Sequence, residues 1–226
     1  QFGSLRRPTH RNTSWEQAKY EICAHKYIDL SERGYGVAVL NDCKYGHRVR
    51  GGEISLDLLR STNHPGKQAD RERHEFTYAL YPHAGDHAQG GVIQAGYELN
   101  APLRIVEAPS AASGRSAGSQ KASLPAAQSF VQIAVDGPAA MGAPGASPCP
   151  VILEAVKKAE DSGALILRLY ESQGGSARVT ARFGLPVRAA ALTNMMEDNP
   201  KPLRVRDNTV RLEFGPFEIH TLRVDL

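Results

Sequence analysis

Short stretches in which every second residue is apolar recur along this chain, and this alternation restricts its fold more than any other feature. Residues 53–58, 179–183 and 210–214 follow the pattern, and residues 20–30 follow it with one interruption at Lys26. A period of two places apolar side chains on one face of a β-strand. With about ten strands separated by Gly, Pro and Asn signals, the sequence predicts an all-β protein built as an antiparallel β-sandwich. The further strand candidates are 76–80, 92–99, 130–135, 151–156, 164–170 and 217–224.

One segment near the start carries a competing helical signal. Ser14 is followed three residues later by Gln17, and this spacing resembles a helix capping box. The alternating run from Tyr20 to Leu30 is longer and more regular, so we interpret this region as strand and expect no long helix in the chain.

Two stretches of low complexity divide the sequence. Residues 107–128 and 136–150 are rich in Ala, Ser, Gly and Pro and contain almost no large apolar side chain. Such segments bury too little apolar surface to offset the entropy lost on ordering, so both are predicted to be long flexible loops. We therefore divide the chain into a large β-sandwich portion at 1–106, flexible loops around one strand at 107–150, and a second β-sandwich portion at 151–226.

The charge balance and cysteine content narrow the class of protein. The chain has 27 Lys and Arg against 24 Asp and Glu and lacks a polybasic stripe, so neither nucleic acid nor an anionic membrane is expected as a partner. No stretch approaches the ~18 apolar residues of a membrane span. Cys23, Cys43 and Cys149 are odd in number and irregularly spaced, which favours a reducing compartment and a cytoplasmic location.

The segment "LNDCKYGH" is the most unusual in the chain, because a buried strand ends directly in polar side chains. One interpretation is a turn, in which Asn41 and Asp42 cap backbone N–H groups and Gly46 adopts a positive φ. The other is a binding site at a strand end, where loops carry functional groups on a rigid scaffold. The pattern alone leaves both open.

Other candidate sites give weaker signals. Cys23 and His25 would point the same way on a strand, but no second pair completes a four-ligand metal site. Sequence spacing does not establish the separation of about 5–10 Å that paired glycosidase carboxylates require. The chain contains no G-x-S-x-G segment, no P-loop and no G-x-G-x-x-G segment.

Three longer blocks resemble a known family. "RPTHRNTSW", "LNDCKYG" and "HEFTYALYPH" follow one another in the order found in the C-terminal β region of glycoside hydrolase family 38, and specifically in its cytosolic-type α-mannosidases. The segments "VILEAVKKAED", "LILRLYES" and "FGPFEIHTLRV" resemble the closing β-sandwich of the same family. The resemblance covers the whole chain except the two Ala/Ser/Gly-rich loops.

The resemblance implies that the catalytic groups lie in a part of the enzyme that would precede Gln1. Family members hydrolyse terminal α-linked mannose with retention, using an aspartate nucleophile, a second carboxylic acid and a divalent metal of the Zn or Co type held by His and Asp. These groups belong to an N-terminal catalytic barrel. We therefore expect no catalytic residue and no metal ligand in this chain, which opens without an initiator Met, and we expect the fragment alone to be inactive.

The resemblance also implies which residues of this chain are functional. In the family the C-terminal sheets pack against the barrel, and their loops help to close the sugar site, so the expected partners are that barrel and a mannose-containing oligosaccharide. Asn and Asp side chains can bond vicinal hydroxyls, Tyr can stack on a sugar ring, and Lys can pair with a carboxylate. An independent carbohydrate-binding module and a purely structural domain are the alternatives. The residues predicted to contact substrate or barrel are Asn41, Asp42, Lys44 and Tyr45, with His10, Asn12 and Arg60 as weaker candidates.

Overall fold

The computed structural model describes residues 2–106, 127–136 and 148–226. The chain forms two compact units, which we call the N-terminal unit (Gly3–Pro102 with Ala139–Pro148) and the C-terminal unit (Leu103–Pro138 and Cys149–Leu226, with Gln1–Phe2). The flexible loops predicted at 107–128 and 136–150 fall almost wholly outside the described residues. The three-part division of the sequence therefore stays a prediction.

The described residues contain short strands and two helices. In chain order these are α1 (Ser14–Ala18), β1 (Ile22–Cys23), β2 (Tyr27–Ser31), β3 (Tyr35–Asn41), β4 (Gly46–Arg50), β5 (Glu53–Leu56), β6 (Tyr78–Ala84), α2 (Val92–Asn100), β7 (Val131–Val135), β8 (Val151–Lys158), β9 (Leu165–Glu171), β10 (Ala177–Phe183), β11 (Ala189–Thr193), β12 (Lys201–Leu203), β13 (Val205–Arg206), β14 (Thr209–Phe214) and β15 (Ile219–Asp225).

The C-terminal unit is a sandwich of two antiparallel sheets. One sheet has the strand order β13-β14-β10-β7 and the other β12-β11-β15-β9-β8. Their facing sides share one apolar core, to which β10, β14, β9 and β15 all contribute buried residues. Along β10, Ala177, Val179, Ala181 and Phe183 are buried, while Arg178 and Arg182 between them are exposed and Thr180 is half-buried. The alternation in the sequence therefore predicts the buried face correctly, and the predicted antiparallel β-sandwich is confirmed.

The N-terminal unit contains two smaller sheets, with the strand orders β2-β3-β6 and β1-β4-β5. Helix α2 packs on one face of the first sheet, where Ala38, Leu40 and Val92 form the centre of a small core. Strand β3 pairs with both β2 and β6. Because β3 is paired on both sides, the position at which the following segment begins is fixed.

The strand predicted at 92–99 is wrong, because these residues form α2. Its buried residues Val92, Ile93 and Gly96 follow helical spacing rather than alternation, and a run of apolar residues does not by itself distinguish the two. Gly91 precedes the helix in the left-handed conformation, with φ of 69°, which a glycine adopts without steric cost.

The prediction near residue 14 is only partly correct. Helix α1 is present, but its capping box is formed by Thr13 and Glu16, one residue before the pair considered in the sequence. The predicted strand character appears further along, in β1 and β2. Neither helix within residues 2–106, 127–136 and 148–226 is long and apolar enough to cross a membrane.

Candidate functional site

The polar segment that follows β3 forms a tight connection to β4, which we call the 41–47 turn (Asn41 to His47). Asn41 is the last residue of β3, and Gly46 and His47 begin β4. The turn is tied to neighbouring segments through its backbone, since Ala24 N–H donates to the Tyr45 carbonyl at 3.0 Å and Asp57 N–H donates to the Gly46 carbonyl at 2.9 Å. The position of the turn is therefore fixed by strands on both sides.

Asn41 and His47 form the buried base of the turn, and both are fully enclosed. The side-chain oxygen of Asn41 accepts a hydrogen bond from the Lys44 N–H at 3.0 Å. Its amide nitrogen lies 3.4 Å from His47 Nε2, and His47 Nδ1 lies 3.1 Å from the Tyr45 carbonyl oxygen. Burial lowers the pKa of His47 below its ordinary value, although the Asp57 carboxylate acts in the opposite direction.

The backbone of Asn41 is also fully bonded. Its N–H donates to the Lys26 carbonyl at 2.9 Å, and its carbonyl accepts from the side-chain amide of Asn100, on α2, at 3.0 Å. Every polar group of Asn41 thus has a partner inside the N-terminal unit. Asn41 supports the turn and does not offer a free group to a ligand.

Asp42 fastens the turn to the segment before β6. Its Oδ2 accepts from the Thr77 N–H at 3.0 Å, and its own N–H donates to the Thr77 carbonyl at 3.2 Å. The adjacent Cys43 thiol and the Thr77 N–H together hold the pKa of Asp42 below its ordinary value. Its second oxygen, Oδ1, is buried and has no hydrogen-bond partner of good geometry among the described residues.

Lys44 and Tyr45 form the outward side of the turn. Tyr45 is 46% exposed, and its ring lies against His25 with centroids 4.3 Å apart. The Lys44 ammonium sits 4.9 Å from the centre of the Phe76 ring. The turn therefore carries an aromatic ring and a cation at adjacent positions on a rigid base, and these two kinds of group suit a polar ligand that has an apolar face.

The remaining predicted site residues are engaged elsewhere or stand apart. His10 pairs with Glu16 at 3.2 Å, and the Asn12 N–H donates to the same carboxylate at 2.6 Å, so both belong to the start of α1. Arg60 is exposed, and no hydrogen bond or ion pair joins it to the 41–47 turn in the described part of the chain. The structure thus groups Asn41, Asp42, Lys44 and Tyr45 and leaves these three outside the group.

Sequence reasoning did not assign roles to His47, Thr77 and Asn100, which hold the turn in place. His47 lies two residues after Tyr45 in the sequence, and this position could have identified it as part of the turn. The partners at Thr77 and Asn100 are distant in sequence and are brought to the turn only by the pairing of β3 with β6 and by α2. No local pattern predicts such contacts.

A buried pair of side chains in hydrogen-bond contact, His83 and Asp29, lies at the other end of the same sheet. His83 Nε2 is 2.7 Å from Asp29 Oδ1, and the two side chains are only 3% and 9% exposed. The His83 ring is enclosed by two glycines, since a Cβ on either Gly36 or Gly90 would overlap it. The space around the His83 ring therefore has no room for a methyl group added at either glycine.

The C-terminal unit contains a second buried carboxylate, Glu171 at the end of β9, which is 1% exposed. Its Oε1 accepts from the Gln173 N–H at 2.9 Å, and its Oε2 accepts from the N–H groups of Gly174, Gly175 and Phe217 at 2.8, 3.1 and 3.0 Å. A single side chain thus satisfies four backbone donors from two loops. Its role in the fold is structural.

The structure does not support the C-x-H pair as a metal site. Cys23 Sγ and His25 Nε2 lie 3.8 Å apart and both side chains are exposed. Within residues 2–106, 127–136 and 148–226, no group of three or more His, Cys, Asp or Glu side chains is arranged to hold a metal ion. The described residues therefore do not fit the divalent metal that the resemblance implies for the enzyme.

Comparison with family models gives two matches in this chain. Residues 1–68 match the glycosyl hydrolases family 38 C-terminal domain. Residues 150–222 match the glycosyl hydrolases family 38 C-terminal beta sandwich domain. The first match includes the 41–47 turn, and the second covers most of the sandwich of the C-terminal unit.

Curated relatives align along nearly the full chain. An alpha-mannosidase 2C1 from Homo sapiens is 45% identical over 98% of this chain, and an alpha-mannosidase G from Dictyostelium discoideum is 34% identical over 99%. The chain spans only 20% and 19% of the lengths of these two relatives. Among solved structures, an alpha-mannosidase from Enterococcus faecalis V583 has a TM-score of 0.71 at 17% identity, covering 99% of this chain and 23% of that one, and this likeness concerns the fold.

Proposed function

The chain belongs to glycosyl hydrolase family 38, as part of its C-terminal region, and from this premise we propose that it is the C-terminal β region of an α-mannosidase. The enzyme removes terminal α-linked mannose from oligosaccharides. The observation that carries the proposal is the rigid 41–47 turn, whose outward side presents Tyr45 and Lys44. This chain packs on the catalytic barrel of the same protein and helps to close the sugar site.

The proposed reaction divides between two parts of the protein. A retaining mechanism needs a nucleophilic carboxylate and an acid about 5–5.5 Å apart, and these groups, with the divalent metal, belong to the N-terminal barrel. The residues described here include no group of three or more His, Cys, Asp or Glu side chains arranged to hold a metal ion. Their part is to bind and orient the sugar and to exclude water from it.

The proposed contribution of the turn is preorganisation. Tyr45 offers a ring face to the apolar side of a mannose unit, and Lys44 offers a donor to a hydroxyl group or to a carboxylate of the barrel. Because Asn41, Asp42 and His47 are already fixed by hydrogen bonds, little conformational entropy is lost when sugar binds. Positioning by supporting residues of this kind lowers the cost of holding a ligand in its productive geometry.

The proposal predicts that Tyr45→Ala in the full-length enzyme lowers kcat/KM roughly tenfold or more, equivalent to about 1.4 kcal/mol of transition-state binding. The reason is loss of the stacking face at an exposed position that carries no core contact. The matched control is Tyr35→Ala, which removes a similarly exposed tyrosine from the opposite end of β3. Steady-state kinetics on an aryl α-mannoside compare the two, and equal values for Tyr45→Ala and wild type would contradict the proposed sugar contact.

We also expect the 226-residue chain by itself to give no turnover of an aryl α-mannoside, with or without added divalent metal, because the proposed catalytic groups lie in the barrel. The measurement is product release by pure chain at high protein concentration, against full-length enzyme as the positive control. Turnover that follows the chain through purification would show that the catalytic groups had been placed in the wrong part of the protein.

A purely structural role is the second candidate function, and one observation favours it. Leu80 and Tyr78 lie on the face of β6 turned away from α2 and are 71% and 54% exposed. Val39, which pairs with Leu80 from β3, adds another apolar side chain to this face. An apolar sheet face of this kind is suited to burial against another part of the protein. If packing is the whole role, Tyr45→Ala leaves kcat/KM unchanged.

We place the enzyme in the cytoplasm. The support comes from the cysteines, since Cys23, Cys43 and Cys149 are all free, as expected of a protein in a reducing compartment.

A further inference from the structure

We propose that His47 is a positioning residue for the proposed sugar site, held as a neutral imidazole with its proton on Nδ1, and that this tautomer sets the shape of the 41–47 turn. The structural part of this inference depends only on the geometry of the turn. Its consequence for activity rests on the proposed function of Lys44 and Tyr45.

The first step is the orientation of the Asn41 side chain. The Lys44 backbone N–H can only donate, and it lies 3.0 Å from one terminal atom of the Asn41 amide. That atom must therefore be the carbonyl oxygen. The other terminal atom, which lies 3.4 Å from His47 Nε2, is consequently the NH₂ group and can only donate.

The second step is the tautomer of His47. Because the Asn41 NH₂ group can only donate, His47 Nε2 must accept, and it therefore carries no proton. The single proton of the neutral ring then sits on Nδ1, which lies 3.1 Å from the Tyr45 carbonyl oxygen. A carbonyl can only accept, so both contacts are satisfied by this tautomer and by no other. The imidazole links the last residue of β3 to the backbone of Tyr45.

The third step is the effect of protonation. A second proton on Nε2 would face the Asn41 NH₂ group, so that two donors would meet inside a pocket where both side chains are fully buried. Asp57, after β5, is the charged group that acts on His47, and it favours protonation, whereas burial opposes it more strongly. On α2, the Asn100 side-chain amide is neutral and donates to the Asn41 carbonyl.

The sign of the pH effect follows from this lowered pKa. The folded state keeps His47 neutral below 6.5, the ordinary value, whereas the unfolded chain takes up a proton there. The contribution of His47 to stability is therefore complete above pH 6.5 and is lost progressively as the pH falls below it. The turn that presents Tyr45 should weaken only at a lower pH, where His47 takes up a proton in the folded state.

The direct test is the ¹⁵N spectrum of histidine-labelled 226-residue chain at neutral pH. The ¹⁵N shifts of the two ring nitrogens identify which one carries the proton, and the signals of His47 are those absent from the His47→Asn variant. We expect a neutral ring protonated at Nδ1. A ring protonated at Nε2, or a charged ring, would overturn the inference whatever the enzyme assays give.

The functional test uses two variants in the full-length enzyme. His47→Asn places an amide NH₂ group near the position of Nδ1 and keeps a donor for the Tyr45 carbonyl, whereas His47→Ala removes it. We expect His47→Ala to lower kcat/KM roughly three- to tenfold at pH 7.5, as for one lost hydrogen bond, and His47→Asn to lower it less. Because asparagine does not titrate, the ratio of the His47→Asn value to the wild-type value should rise once the pH falls below the lowered pKa of His47 in the folded enzyme.

The outcomes separate this inference from the proposed function. If Tyr45→Ala impairs the enzyme but both His47 variants behave as wild type at every pH, the positioning role is wrong. A constant loss across the pH range, equal in both variants, would mean general destabilisation and would likewise count against it. If Tyr45→Ala leaves kcat/KM unchanged, the proposed sugar contact is wrong. The tautomer of His47 is then decided by the ¹⁵N spectrum alone.

Discussion

Replacing Glu171 with alanine is expected to lower the free energy of unfolding of the C-terminal unit by about 3–5 kcal/mol. The carboxylate is 1% exposed and accepts from four backbone N–H groups, those of Gln173, Gly174, Gly175 and Phe217. Removing it leaves these donors without their acceptor at a site where water has little access. The loss should appear as faster amide hydrogen exchange in β9 and as a lower urea midpoint.

Two further variants make this prediction specific. Glu171→Gln keeps one oxygen acceptor, which can take the place of Oε2 and its three donors, so it should cost about 1–3 kcal/mol. Glu213→Ala removes an exposed carboxylate that is paired with Arg178 on the sheet surface, and it should be nearly neutral. If Glu171→Ala proved as mild as Glu213→Ala, the carboxylate would not be holding the two loops.

Gly36→Ala and Gly90→Ala should each destabilise the N-terminal unit by about 1–3 kcal/mol. The added Cβ would overlap the His83 ring in both cases, and at Gly36 it would also lie 2.6 Å from the Ser31 Cβ. The ring has little freedom to move because its Nε2 is held 2.7 Å from Asp29 Oδ1 in a buried pair. Urea denaturation, with hydrogen exchange in β3 as the local probe, measures the loss.

Gly34→Ala is the matched control, since nothing lies within 4 Å of a Cβ at that position. It should change the free energy of unfolding by no more than about 0.5 kcal/mol. A double-mutant cycle adds a second check, because Gly36→Ala combined with His83→Ala should cost less than the sum of the two single changes. If the two destabilisations simply add, the Cβ introduced at position 36 does not clash with the His83 ring.

The parts of the fold that the sequence predicted are those where one strand face is buried and the other is in water. Val179 and Val210 lie on strands of this kind, in β10 and β14. The prediction failed at α2, where Gly96 is buried among larger residues and apolar spacing is ambiguous over nine residues. On β6 the predicted strand is present, but Tyr78 and Leu80, which alternate as on a buried face, are exposed.

For the candidate site, the sequence predicted a segment but not the contacts within it, and the role of that segment in binding stays a prediction. The two interpretations of "LNDCKYGH" apply to different residues of the same turn. Asn41 is fully buried and bonded, as the turn interpretation requires, whereas Tyr45 faces outward, as a ligand contact requires. Which residue turns inward depends on Asn100 and Thr77, whose positions are set by α2 and β6, and no local spacing in the sequence encodes those contacts.

The place of β15 in its sheet has a consequence for the order of folding. It lies between β9 and β11, pairing Ile219 with Tyr170 on one side and Thr221 with Thr193 on the other. Strands β10 and β14, which come between β9 and β15 in the chain, belong to the opposite sheet. Such non-local pairing slows folding, because the intervening chain must be confined before the contacts form. Until β15 pairs with it, β9 has an exposed edge that can pair with another incompletely folded chain. The yield of folded protein should therefore fall as the concentration of newly synthesised chain rises.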